Sequence, residues 1–161
     1  MQQSSSEWLK SIPPEKGHYF AGFTDGEGSF NVSFRYRKDY KNCWKVSACF
    51  NISNKDKVIL DVFKKYLQCG TMRSRSDGVW YFEVNTLQTI LDHIVPFFKL
   101  YPFLSAKKQN DFSKFCQILD ILTSDNPRST PNIQKILHLR NNMNGGGKRK
   151  FSDEEILSKL C

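Results

Sequence analysis

The sequence lacks the features that define several protein classes. It has no uninterrupted apolar run of about 18 residues, and its start, MQQSSSEWLK, lacks the basic and then apolar layout of a secretory signal. We therefore expect a soluble, intracellular protein without a membrane partner. Its five cysteines form no C-x-x-C pair and only three histidines accompany them, which argues against a zinc site. We expect these cysteines to be reduced, and most of them to be packing residues.

An excess of positive charge is the main compositional feature. Lys and Arg total 24 against 16 Asp and Glu, which gives a net charge of +8. Such a balance is typical of proteins that contact phosphate, but many basic proteins bind nucleic acid only incidentally. With 161 residues, of which 39% are hydrophobic, the chain can bury one sizeable core and is too short to suggest two ordinary domains.

The spacing of apolar residues predicts the element order αββαββααα. Period-2 alternation predicts two hairpins, with strands at 30–37, 44–53, 71–75 and 79–85. Helical spacing predicts helices at 15–25, 55–67, 87–98, 107–122 and 131–143. We divide the chain into a polar lead-in (1–14), one main domain (15–143), and a flexible basic linker followed by a short capped helix (144–161).

The segment FAGFTDGEG at residues 20–28 combines small residues with carboxylates where a helix gives way to a strand. Small side chains allow close approach of two helices, while the carboxylates of Asp25 and Glu27 could bind a hard divalent cation. The simpler interpretation of an isolated D-G-E-G is that its glycines end the helix and Asp25 caps a neighbour. Two carboxylates alone cannot surround Mg²⁺, so a second subunit or a phosphate would have to complete a metal site.

This segment resembles the LAGLIDADG motif of homing endonucleases, and the resemblance continues through the order αββαββα to the lysine-bearing stretch at 107–112. It implies an α+β fold with a four-stranded antiparallel sheet on double-stranded DNA, extra C-terminal helices, and a homodimer of single-motif chains. The implied activity is metal-dependent cleavage of both strands of a long, pseudo-palindromic site by an intron-encoded enzyme with no small-molecule substrate. The alternative is a non-catalytic nucleic-acid-binding module, such as an intron-splicing cofactor, but the intact pair Glu27 and Lys108 favours the enzyme.

The resemblance also implies roles for individual residues at the metal site. Glu27 falls on the last acidic position of the motif, which holds the catalytic metals, and the carbonyl of Gly26 would assist. The expected ion is Mg²⁺, with Mn²⁺ possible and Ca²⁺ supporting binding without turnover. Lys108 matches the basic residue near the scissile phosphates, and Lys107 is the near alternative.

Further residues are assigned to water ordering and to the dimer. Asn51 and Asn54 match polar positions that order water in the active site; the alternative is strand-end and helix-cap chemistry, since Asn54 could cap the next helix. The expected dimer interface is the motif helix itself, through Phe20, Ala21, Gly22, Phe23, Asp25 and Gly26.

The outward residues of the predicted strands are polar and largely cationic. A two-stranded ribbon fits the major groove of DNA, where Arg and Asn can bond guanine and adenine. The candidates for DNA binding are Asn31, Ser33, Arg35, Arg37, Lys45, Ser47, Arg73, Arg75, Tyr81 and Glu83. Lys38, Lys41 and the 148–150 segment are assigned to phosphates. The alternative is an ordinary solvated sheet face.

Overall fold

The computed structural model describes residues 7–161 and begins with a short helix, α1 (Glu7–Lys10). This helix lies within the predicted polar lead-in, whose first six residues are outside the described part of the chain. The motif helix α2 (Pro14–Glu27) opens with proline in its first turn, as expected, but continues through Gly26 and ends at Glu27. Over residues 7–161, no helix is both long and apolar enough to span a bilayer.

Four strands follow the predicted pattern: β1 (Gly28–Tyr36), β2 (Trp44–Asn54), β3 (Thr71–Ser74) and β4 (Trp80–Val84). They form one sheet in the order β1-β2-β4-β3, in which β4 runs antiparallel to both β2 and β3. Phe82 is the register partner of Ile52 on one side and of Met72 on the other. The predicted four-stranded antiparallel sheet is confirmed.

The remaining elements are mainly helical. They are a 3₁₀ turn (Lys41–Cys43), α3 (Lys57–Leu67), α4 (Leu87–Thr89), a π-helical turn (Ile90–Ile94), α5 (Val95–Leu100), α6 (Ala106–Leu122), α7 (Thr130–Asn141), a second 3₁₀ turn (Asn144–Gly146) and α8 (Asp153–Ser158). The single helix predicted at 87–98 is interrupted because Pro96 has no backbone N–H to continue the α-helical hydrogen bonds. The helix predicted at 55–67 ends at Leu67, as expected, and Gln68 terminates it with a left-handed φ of 55°.

The described chain divides into two compact units, each built from two segments. The first contains residues up to Ser29 together with Cys49–Gln109, and its core is largely aromatic. The Phe63 ring lies 4.7 Å from that of Phe20 and 5.5 Å from that of Phe82, and all three side chains are buried. Burial of one such ring contributes about 1.5–3 kcal/mol.

The second unit contains Phe30–Ala48 together with Asn110–Cys161. Phe30 packs between Phe112 and Phe115, with ring centroids 5.3 and 5.0 Å away. The single-domain organisation over 15–143 stays a prediction.

The segment 144–161, which we expected to begin as a flexible linker, packs against the rest of the second unit. The amide Nδ2 of Asn144 donates to the carbonyl of Phe30 at 2.6 Å, and α8 begins with the predicted capping box between Ser152 and Glu155. A disulfide joins Cys43 to Cys161. The expectation that every cysteine is reduced is therefore wrong for this pair, because the C-terminal helix brings two cysteines 118 positions apart within bonding distance.

Candidate active site

The candidate acid lies at the junction of α2 and β1. Glu27 is the last residue of α2 and is exposed, whereas Gly28 is buried and begins the strand. A Cβ on Gly28 would lie 2.5 Å from the Cγ2 of Thr24, so the tight exit from the helix requires glycine there. This junction turns the chain directly from the helix into the sheet while leaving the Glu27 carboxylate in solvent.

A hydrogen-bonded network in the first unit connects this junction to the start of α6. The backbone N–H of Ser105 donates to Oδ2 of Asp25 at 3.1 Å, and its hydroxyl donates to Oδ1 of the same carboxylate. Ser105 Oγ also accepts from the backbone N–H of Lys108 at 3.2 Å, as an N-cap does. The Lys108 side chain is buried, and its ammonium donates to the carbonyl of Gly28. The network brings Lys108, and not the exposed Lys107, beside the residue that follows Glu27.

Sequence reasoning missed Ser105 as a member of this network. The available signal was a serine directly before a helix that begins at Ala106, which is the preferred N-cap position. The interpretation of Asp25 as a capping residue, which the sequence left as the alternative, agrees with its two hydrogen bonds to Ser105.

The two candidate asparagines have separate surroundings. Asn54 Oδ1 accepts from the backbone N–H of Asp56 at 2.8 Å, which forms the turn before α3. Asp56, and not Asn54, is the N-cap of that helix. Asn51 is half-buried opposite Glu83; burial raises the pKa of the Cys49 thiol, and the Asn51 side chain lowers it. Their roles in ordering water stay predictions, since both side chains already have structural contacts.

The expected dimer face needs correction at two residues. Phe20 and Ala21 are 1% and 4% exposed within the single chain, because they face the core of their own unit, and they cannot be buried further by a partner. Gly22 and Gly26 are exposed, and an added Cβ at either would meet no heavy atom of the described residues within 4 Å. Phe23 is half-buried and stacks on Tyr19, which is 55% exposed and was not predicted.

The strand residues of the first unit form a charged aromatic cluster. Arg73 donates two hydrogen bonds to the Glu83 carboxylate, at 3.0 and 2.6 Å. The hydrogen bond from Arg73 and the nearby positive charge lower the pKa of Glu83. The guanidinium carbons of Arg73 and Arg75 lie 4.9 and 4.1 Å from the Tyr81 ring centroid. Arg73 is thus held by an acid, whereas the tyrosine ring orients Arg75.

The remaining candidates for DNA binding lie on or directly after β1 and on the first part of β2, in the second unit. Ser33 and Arg35 are exposed, and Asn31, Lys45 and Ser47 are half-buried. Arg37 is paired with Asp39 at 2.6 Å, a pair at the hairpin tip that offsets the charge of this arginine. Both units therefore present the predicted polar strand residues at least partly to solvent.

The donor set beside Glu27 suits a hard cation. The Glu27 carboxylate and the Gly26 carbonyl supply oxygen, the element that Mg²⁺ prefers as a ligand. Within residues 7–161, no group of three or more His, Cys, Asp or Glu side chains is arranged to hold a metal ion.

The structure thus combines an αββαββα order of elements, an exposed carboxylate at the end of the motif helix and a buried lysine beside the next residue, which are the features that the LAGLIDADG resemblance implies. The sequence model described as LAGLIDADG endonuclease matches residues 20–119, and the chain belongs to that family. The resemblance drawn from the motif is therefore confirmed.

Two relatives illustrate the family. The homing endonuclease I-ApeII of Aeropyrum pernix is 29% identical over 146 residues, which cover 86% of this chain and 86% of that protein. A probable intron-encoded endonuclease 2 of Neurospora crassa is 28% identical over 140 residues, which cover 84% of this chain but 29% of that protein. The chain thus spans less than a third of the length of the Neurospora relative.

The fold is also similar to that of I-SmaMI, a LAGLIDADG homing endonuclease. Its structure with cleaved DNA has a TM-score of 0.78 and 25% identity, and the match covers 88% of this chain and 47% of that one. I-SmaMI has also been solved with an uncleaved DNA target in the presence of calcium ions. This chain corresponds to about half of I-SmaMI.

Proposed function

We propose that this protein is an intron-encoded, site-specific endonuclease that hydrolyses both strands of a long, pseudo-palindromic DNA site as a homodimer with Mg²⁺. The observation that carries the proposal is the hydrogen bond between the buried Lys108 ammonium and the Gly28 carbonyl, one residue beyond the exposed Glu27. The names of the relatives and the cleaved DNA bound to I-SmaMI support it. The protein would act where its target DNA is kept, in a prokaryotic cytoplasm or an organelle.

The carboxylate of Glu27 and the carbonyl of Gly26 would hold the cation together with phosphate oxygens of the substrate and the matching residues of a second copy. A cation held there would supply Lewis-acid chemistry, activating water and offsetting negative charge on the leaving 3′ oxygen. The exposure of Glu27 supports this role, because the carboxylate is accessible to a phosphate approaching from solvent.

Lys108 would stabilise the negative charge that develops on the scissile phosphate. Its burial supports this role, since a charge acts more strongly in a site from which water is partly excluded. Asp25 and Ser105 would position it, because they hold the first turn of α6 from which Lys108 projects.

A second copy of the chain would pack against the exposed side of α2. The open space at Gly22 and Gly26 supports close approach of another helix, and the exposed Tyr19 offers apolar area to bury. Two copies would bring two Glu27 carboxylates and two sets of strand residues to one DNA duplex. This symmetry is why a pseudo-palindromic target is proposed.

The polar strand residues would read the DNA. Arg75 is oriented by Tyr81 and forms no salt bridge among the described residues, which suits bidentate contact with guanine. Arg73 would depend on Glu83, which fixes its guanidinium. Phosphate contacts by lysines would add affinity without sequence preference.

The test is selection of cleaved sites from a randomised DNA pool with Mg²⁺, followed by mapping of the ends cut from the selected site. We expect one double-strand cut with 5′-phosphate and 3′-hydroxyl ends, abolished by EDTA. Asp120→Asn is the matched control for Glu27→Gln, because it also replaces an exposed helical carboxylate by an amide, but outside the candidate site. Sequence-specific binding without cleavage at any divalent cation tested would support a splicing or binding module instead.

A further inference from the structure

A basic cleft lies in the second unit, beside β1 and apart from the Glu27 junction in sequence. We use the name basic cleft for a depression of about 240 Å³ whose polar lining comes from Asn31, Ser33, Arg140, Lys148, Arg149 and Lys150. Four of these six residues are cations, and no acidic residue lines the cleft in the part of the chain that the structure describes. A depression of this size has room for a phosphate group.

Arg140 lines the basic cleft, and the hydrogen-bonding capacity of its buried guanidinium is only partly satisfied. It is 7% exposed and pairs with Asp153 at 3.1 Å, but its Nε has no hydrogen-bond partner among the described residues. Burial and the neighbouring Arg149 lower the pKa of Arg140. A buried guanidinium beside a second one is costly, so an anion in the cleft would stabilise the pair.

The cleft is held in shape by contacts within the second unit. Arg149 donates to the carbonyl of Arg140 at 2.7 Å and to the side chain of Asn141. The ring of Phe151 lies 5.1 Å from that of Trp44, which is fully buried. The two arginines therefore need little reorganisation to bind a ligand, which lowers the entropic cost of binding.

We propose that the basic cleft binds a backbone phosphate of the DNA target. The inference rests on the proposed endonuclease function and adds a phosphate site that includes Arg140. The exposed side chains of Lys148 and Lys150 would neutralise the phosphate charge, while Asn31 and Ser33 extend the contact along β1. DNA is favoured over a free phosphate ion because the same strand carries the exposed Arg35, a candidate for base contact.

The test compares the salt dependence of DNA binding between two double variants. Lys148→Gln with Lys150→Gln removes two cations from the basic cleft, whereas Lys135→Gln with Lys159→Gln removes two exposed cations of the same unit outside it. For the selected site, we expect the cleft variant to reduce the slope of log affinity against log salt by about 1 per lost phosphate contact. The control variant should keep the wild-type slope.

Two outcomes would overturn the proposal. One is an equal slope for the cleft variant and the wild type, with both folded by circular dichroism. The other outcome combines two measurements. Inorganic phosphate raises the melting temperature of the wild type but not of the cleft variant, while the cleft variant keeps the wild-type salt slope for DNA. That combination would indicate a site for a free phosphate ion instead of DNA. If the wild-type protein neither binds nor cuts DNA, the proposed function itself is wrong. This result differs from failure of the cleft proposal alone, in which the wild type still binds its site. Arg149→Lys, which keeps the charge, should retain the slope.

Discussion

The ammonium of Lys108 and the carbonyl oxygen of Gly28 are joined by a hydrogen bond that connects the first turn of α6 to the end of the motif helix. Because Gly28 directly follows Glu27, a buried cation and an exposed carboxylate lie at the same junction. A phosphodiester approaching this junction would meet a group that can hold a cation and a group that can stabilise negative charge.

Glu27→Gln should abolish cleavage and leave specific DNA binding largely intact. The amide keeps the shape of the side chain but removes the charge that would hold the cation. The measurement is single-turnover cleavage of the selected site with Mg²⁺, together with binding in Ca²⁺, where binding without turnover is expected. Full activity of this variant would rule out a role for Glu27 in metal binding.

Lys108→Met should slow single-turnover cleavage by about 10²–10³-fold, the loss expected for one electrostatic stabiliser of a transition state. Methionine fills most of the buried volume, while loss of the hydrogen bond to the Gly28 carbonyl should lower the free energy of unfolding by about 1–3 kcal/mol. The control is Lys107→Met, which changes the exposed neighbour and should leave the rate near that of the wild type. Equal rate losses in the two variants would contradict the assignment of Lys108.

Gly22→Leu should give a folded chain that fails to dimerise, because a Cβ at this position has open space in its own chain whereas a leucine side chain would block the approach of another helix. Gly17→Ala is the contrasting variant: its Cβ would lie 2.2 Å from Cζ of Tyr101, so folding itself should be weakened, by about 1–3 kcal/mol. Sedimentation at micromolar concentration and thermal melts distinguish the two effects. A dimer that persists in Gly22→Leu would exclude α2 as the interface.

The Arg73–Glu83 pair should contribute to stability only at pH values where Glu83 is ionised. Its hydrogen bond with Arg73 lowers the pKa of Glu83 below the ordinary 4.5, so the unfolded chain binds this proton more tightly. The stabilisation is therefore complete above that ordinary value and is lost as the pH falls through the lowered pKa. Because the Arg73 side chain is 47% exposed, solvent screens the pair, and the difference in unfolding free energy between the wild type and Glu83→Gln at neutral pH should be small. Urea unfolding at several pH values tests this, and a difference that does not shrink in acid would refute it.

Reduction of the Cys43–Cys161 disulfide should lower the free energy of unfolding by roughly 2–4 kcal/mol, since the bond restricts a long loop of the unfolded chain. Cys161→Ser should reproduce the reduced wild type and should not respond to reductant. Alkylation under non-reducing conditions should label Cys49, Cys69 and Cys116 after unfolding. Labelling of all five cysteines would show that the bond is absent from the purified protein.

The pattern of side chains along the chain was enough to predict the order of elements and the location of the motif. Strands with one buried and one polar face have a period of two, and this period is visible at Phe30, Phe34, Phe82 and Val84, all of which are buried. The capping box at Ser152 was equally readable, because its two partners are three residues apart. The carboxylate of Glu27 could be located because the motif is contiguous.

Contacts between residues far apart in sequence depended on the tertiary structure. Ser105 and Asp25 are 80 positions apart, and no local pattern indicates that their side chains would meet. Likewise, Phe20 belongs to its own unit's core rather than to the dimer face, because the helix rotates that position toward Phe63. Local periodicity determines which residues share a face of an element. Which other helix or strand packs against that face is decided only in the tertiary structure, because several arrangements of the elements would bury the same apolar residues.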